Sequence, residues 1–232
     1  MAEFIYPDWP APTRVKAMTT TRWFGNLASH VEDDPEMLAT RRDMLRRHLP
    51  ADPLWLTQVH GAQCVSAENA RAGVEADASI ARSPGHVCAV LTADCLPILL
   101  CDAEGAAVAA IHAGWRGLVA GVVESTVKAM AIPGDRLFAW LGPGIGPQAY
   151  EVGRDVWLAF SGYDGGALKM FAEQPNGKWL CDLYGIARQQ LARAGIERVW
   201  GGDYCTFSDR KQFFSHRRDG QTGRMATLIW TV

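Results

Sequence analysis

Apolar positions along this chain fall into two patterns, short unbroken runs and stripes at helical spacing. "HVCAVLT" (86–92) and "PILLC" (97–101) are unbroken runs of strand length. "GAAVAAIHAG" (105–114) is a third, closing at Gly114. "LWLTQVHG" (54–61) alternates, is rich in β-formers and stops at Gly61, which predicts a strand. "LFAWLG", "RVWGGDYCTF" and the end of "RRDGQTGRMATLIWTV" predict three more. "DDPEMLATRRDMLRRHLP" predicts a helix capped by Asp33 or Asp34, with Pro35 in its first turn. Its apolar stripe would be Met37, Leu38, Met44, Leu45 and Leu49, and Pro50 would end it. "GLVAGVVESTVKAMAI" predicts one amphipathic helix, a second starts near Gly153–Asp155, and "DLYGIARQQLARAGI" is a third ending at Gly195. Strands and helices mix without strict βαβ alternation. That predicts an α+β fold, a layered mixed β-sheet core flanked by helices.

Composition narrows the class. The chain has 232 residues, 48% of them hydrophobic, enough to build a core without disulfides or structural metal. Residues 1–232 are expected to form a single domain. The formal net charge of -2, with no Lys/Arg run, argues against nucleic acid and membrane surfaces as partners. "MAEFIYPDWPAP" lacks the basic and apolar segments of a signal peptide. The longest apolar run, "AVLTADCLPILLC", is too short to span a bilayer and carries Asp94 in its middle. The expectation is a soluble cytoplasmic monomer. None of the six cysteines forms a C-x-x-C pair, so free thiols are expected.

Three segments end alike. In "TQVHG", "TADCLP" and "AAIHAGWRG", His60, Cys95 and His112 sit where a β-type run meets a glycine or a bend. Such positions let side chains converge on a cleft while a sheet holds the backbone. Two imidazoles and a thiolate suit zinc with a fourth position left open. The spacings, 35 and then 17 residues, have no motif specificity of their own. A lone buried cysteine or strand-end histidine is ordinarily structural. Metal-free, Cys95 could be a nucleophile with His112 or His60 as its base. Asp94 beside it would oppose thiolate formation, and Pro97 reads as the mark of a strand break. Gly114 and Gly117 around Trp115 and Arg116 suit either an anion or a tight β-to-α turn. Arg217, Arg218 and Arg224 could hold an anion, although a solvated loop is the blander reading and is preferred. Six histidines, no two separated by a single residue, cannot supply a trinuclear copper cluster.

Across nearly its whole length the chain resembles the YfiH-type family, also labelled laccase-domain or polyphenol oxidase and read as purine nucleoside phosphorylases. The matching stretches include "TTR" from Thr20, "WLTQVHG", "ADASIARSPG", "VCAVLTADCLPILLCD", "AAIHAGWRGLVAGVVE", "AWLGPGIGPQAYEVG", "GGDYCTFSD" and "FFSHRRDGQTGRMATLIW". The resemblance implies a metal site of His60, Cys95 and His112, usually holding zinc. It implies a layered fold like that of the cytotoxic-necrotizing-factor toxins, a set described as cysteine hydrolases. The implied activities are phosphorolysis of adenosine, inosine and methylthioadenosine, and deamination of adenosine. Substrates would be purine nucleosides and phosphate, with Arg22 and Arg116 as phosphate candidates. A cysteine hydrolase or amidase editing peptidoglycan precursors is the alternative; copper-dependent polyphenol oxidation is disfavoured. After Arg22, where the family carries a glycine-rich loop, the chain is shorter and runs into "WFGNLASHVEDDPE", through loss of that loop or through residues absent from this sequence, and either weighs against a role for Arg22.

Overall fold

The computed structural model describes residues 2–163 and 165–232. The first half contains β1 (Phe4–Ile5), β2 (Val15–Thr20), α1 (Pro35–Arg46), β3 (Pro53–Leu54), β4 (Cys64–Ser66), β5 (Ala78–Ala81), β6 (Val87–Thr92), β7 (Leu96–Asp102) and β8 (Val108–Ala113). Then come α2 (Trp115–Val119), α3 (Val122–Met130), β9 (Leu137–Leu141), β10 (Glu151–Val152), α4 (Arg154–Tyr163), β11 (Phe171–Glu173) and β12 (Trp179–Cys181). The chain closes with α5 (Leu183–Arg193), β13 (Arg198–Gly201), α6 (His216–Asp219) and β14 (Met225–Thr231).

Two large sheets stack. One has the order β1-β2-β14-β6-β3, the other β13-β9-β7-β8-β5-β4, and β10-β12-β11 form a small third sheet. Both large sheets mix parallel and antiparallel pairs. The expected α+β layering is what the chain forms. The unbroken apolar runs follow from burial on both faces. In β7, Leu99 and Cys101 pack with Val90 and Ile229 of the other sheet. Ile98 and Leu100, on the opposite face, join Leu118, Val123 and Leu191 of the helices. The far side of the five-stranded sheet, with Met18, Leu91 and Leu228, is covered by Leu45 and Leu49.

Four local expectations need correction. The alternating "LWLTQVHG" is strand only at Pro53–Leu54; beyond it there is a single bridge, Thr57 to Glu75. Its later backbone N–H groups bond instead to the Asp77 carboxylate. The helix expected after Gly114 is two, broken by Gly121 at φ +82°, a left-handed conformation suited to glycine. In α1, which Asp34 caps as expected, Met37 and Met44 are 46% and 43% exposed, because that helix buries only Leu45 against the sheet. Pro97 lies inside β7 opposite His112. The bend is upstream, at Asp94, whose φ is +101°. Proline is tolerated there because its nitrogen faces Gly142, just past the end of β9, whose carbonyl accepts from the Tyr184 hydroxyl instead.

Candidate metal centre

Three strand ends converge. Cys95 immediately precedes β7, His112 is the penultimate residue of its neighbour β8, and His60 ends the irregular segment beside them. Their ligand atoms all lie within 4.8 Å of one another. Cys95 Sγ is 3.8 Å from His60 Nε2, and the imidazole centroids are 4.8 Å apart. Sulfur and nitrogen ligands on one tetrahedral zinc would stand about 3.6 Å apart, given ordinary bond lengths. The donor set and its spacing therefore fit a metal ion. A Cβ at Gly114 would come within 2.9 Å of Cys95 Sγ and 3.1 Å of His60 Cδ2, so glycine keeps the pocket between the ligands open.

Asp77 organises the cluster. It is fully buried just before β5. Its Oδ1 accepts from His112 Nδ1 at 2.8 Å and from the His60 N–H at 2.9 Å. Its Oδ2 accepts from the N–H groups of Gly61 and Val59, at 2.7 and 3.2 Å. These bonds hold His60 at φ +59° and fix the His112 proton on Nδ1, leaving Nε2 for a metal or for the Cys95 sulfur. Burial works against the Asp77 charge, but these donors outweigh it and hold its carboxyl below the usual range.

The thiol is perturbed too. Burial pushes Cys95 up, yet the positive charge and hydrogen bonding of His112 and then His60 bring it down to about 6. Burial pulls His112 down, while the Cys95 thiolate and Asp77 raise it to about 9. Without metal, the two form a thiolate–imidazolium pair. The expected opposition from Asp94 does not decide the outcome. Asp94 Oδ1 accepts from Thr206 Oγ1 at 2.6 Å and Oδ2 from the Arg217 N–H at 2.7 Å. Both carboxylate oxygens have donors, so Asp94 ties the turn at Thr206 and the short helix α6 to the strand end.

The cluster lies in the wall of a 410 Å³ cavity, within the range of small-molecule sites. His30, Tyr150, Trp115 and His216 also line it. Arg116 lines it as well, its guanidinium over the Trp115 ring at 4.3 Å. Arg22 is outside this cavity. It stands over Phe214 at 5.3 Å and pairs with Asp219 at 3.7 Å. The solvated-loop reading of the late arginines also needs correction. Arg217 and Arg224 line the cavity, and Arg218 is 7% exposed, donating to Thr206, Phe207 and Phe213 carbonyls. Sequence reasoning missed Asp77 altogether. A carboxylate directly ahead of the apolar run "ASIA" was the available signal.

A family model described as multi-copper polyphenol oxidoreductase laccase matches residues 13–232, and the chain belongs to that family. A purine nucleoside phosphorylase of Pseudomonas aeruginosa is 47% identical, over 99% of both chains. The purine nucleoside phosphorylase YfiH of Escherichia coli is 46% identical over the whole of both. Among solved structures, a Neisseria meningitidis protein superposes with a TM-score of 0.95 at 45% identity, covering 99% of each chain. YlmD from Geobacillus stearothermophilus gives 0.90 at 26% identity, over 99% of this chain and 96% of its own. The copper in the family's description is not matched by a multicopper ligand set: His60, Cys95 and His112 are the one potential metal-holding group of His, Cys, Asp and Glu among the described residues. Among those residues no helix is long and apolar enough to cross a membrane.

Proposed function

We propose that this protein is a zinc-dependent purine nucleoside phosphorylase. It would act on adenosine, inosine and methylthioadenosine, and deaminate adenosine at the same site. The observation that carries the reading is the His60–Cys95–His112 cluster in the wall of a cavity that also presents arginine. The names of relatives that align over the whole chain support the reaction class. His60, Cys95 and His112 would hold the ion. Bound there, zinc would supply Lewis acidity and an open fourth position. The chain's own residues do the rest. Asp77 keeps His112 in one tautomer and His60 in one turn. The cavity walls bring nucleoside and phosphate together. A phosphate oxygen bonds to the anomeric carbon as its bond to the purine nitrogen breaks, and the electron pair leaves with the base, which takes up a proton. One domain, residues 1–232, would do this as a cytoplasmic monomer, without nucleic acid or membrane.

The test is incubation with adenosine and inosine, with and without phosphate, and separation of the products. Phosphate-dependent release of adenine or hypoxanthine, lost in Cys95→Ala, is the expected result. Inosine formed from adenosine without phosphate would report the deaminase activity. Turnover undiminished in metal-free Cys95→Ala would end the zinc reading.

A second reading rests on a specific arrangement. Cys95, His112 and Asp77 form a thiol–imidazole–carboxylate series like that of cysteine hydrolases. An amidase acting on peptidoglycan precursors would be blocked by alkylation of Cys95 and be indifferent to chelators.

A further inference from the structure

Phosphorolysis, the reading on which this inference rests, requires a place for phosphate beside the metal cluster. Three arginines line one cavity, Arg116, Arg217 and Arg224. None forms an ion pair among the described residues. The one carboxylate in the lining is Asp94, and both its oxygens already accept from other donors. Three cations with no carboxylate paired to them suit an anion.

The arginines are held with their donors free. Arg116 lies over Trp115 at 4.3 Å and Arg217 over Tyr150 at 5.1 Å. Stacking occupies the face of a guanidinium and leaves its N–H edge available. The Arg116 side chain makes no hydrogen bond among the described residues. Arg217 uses Nη1 on Glu151 O at 2.5 Å, and Arg224 uses Nη1 on the carbonyls of Thr222 and Gly223. Each guanidinium has five N–H donors, so most remain unspent. One of them is also tied to the metal cluster through its backbone. The Arg217 N–H bonds to Asp94, the chain neighbour of Cys95.

We infer that Arg116, Arg217 and Arg224 form the phosphate subsite, with Arg217 set against the metal cluster by its backbone tether to Asp94. A tetrahedral oxyanion matches the multiple N–H edges; Arg22, paired with Asp219 outside the cavity, takes no part.

The test is calorimetric titration of the zinc-loaded protein with inorganic phosphate at low salt. Wild type is expected to saturate. Arg116→Ala and Arg217→Ala, both exposed and safe for folding, should each weaken phosphate about tenfold with zinc content unchanged. Arg224→Lys should do the same, with thermal melting confirming its fold because Arg224 also caps two carbonyls. Arg22→Ala should bind as wild type. No phosphate binding by wild type, wild-type affinity in both Arg116→Ala and Arg217→Ala, or loss in Arg22→Ala, overturns the subsite. Nucleoside cleavage separates this from the broader reading. Phosphorolysis with an unchanged phosphate KM in the arginine variants leaves a phosphorylase without this subsite. Arginine-dependent phosphate binding with no release of base leaves the subsite without a phosphorylase.

Discussion

Asp77 Oδ1 lies 2.8 Å from His112 Nδ1, with both side chains almost wholly buried. The same carboxylate gathers three successive backbone N–H groups at His60. One acid thus sets the orientation of two of the three cluster residues. Asp77→Asn should therefore weaken metal about 10- to 100-fold, read by chelator competition. It should also lower stability by about 1–3 kcal/mol, read by urea unfolding, because a buried acceptor for four donors is lost. The pH dependence has a definite sign. The Asp77 carboxyl is held below its unfolded value, so its contribution is present above that value and is lost as pH falls through the folded one. Wild type should lose this contribution below about pH 4, and Asp77→Asn should lack that component of the acid transition.

Cys95→Ala should remove metal binding and leave the fold. The core clusters are built without the cysteine. Metal-free wild type and variant should melt at similar temperatures. Added zinc should raise the melting temperature of wild type alone, since a ligand stabilises only a state that binds it. An equal zinc-induced shift in Cys95→Ala would place the metal elsewhere.

In the metal-free protein the Cys95 thiol is poised at about 6 and His112 at about 9. Alkylation by iodoacetamide should rise through about pH 6, not through the ordinary cysteine value near 8.5. Metal must displace the His112 proton, so affinity should climb with pH up to about 9, with protons released on binding. Loaded metal should protect Cys95 from the reagent. Alkylation rates at pH 7, measured by mass spectrometry with and without zinc, check both points.

Gly114→Ala isolates the space between the ligands. Gly114 has φ -71° and ψ 165°, open to any residue, so the backbone needs no glycine. The new Cβ, 2.9 Å from Cys95 Sγ and 3.1 Å from His60 Cδ2, must displace one of them. Metal stoichiometry should fall while far-ultraviolet circular dichroism stays unchanged.

Much of this site was legible in the chain itself, for a physical reason. Runs such as "VCAVLT" and "PILLC" are strands because two-sided burial needs continuous apolar side chains, a local property of sequence. The ends of those runs therefore marked Cys95 and His112. What stayed hidden depended on contacts across distant segments. Asp77 reaches His112 over 35 residues and Asp94 reaches Arg217 over 123, through sheet register and loop packing that no local pattern encodes. "LWLTQVHG" shows the conflict directly. Its alternation favours strand, but the Asp77 carboxylate captures its last N–H groups and turns His60 towards the cluster.

The sequence alone marked the central strands and the main helices, the α+β class and the three residues whose ligand atoms the fold brings together. Tertiary structure decided which charges face the cavity, drawing in Arg217 and Arg224 and leaving Arg22 outside. It also decided that Asp94 is a tether and that Asp77 orients the histidines. Hydrophobic patterning acts along the chain, whereas a buried carboxylate is defined by the donors that folding brings to it.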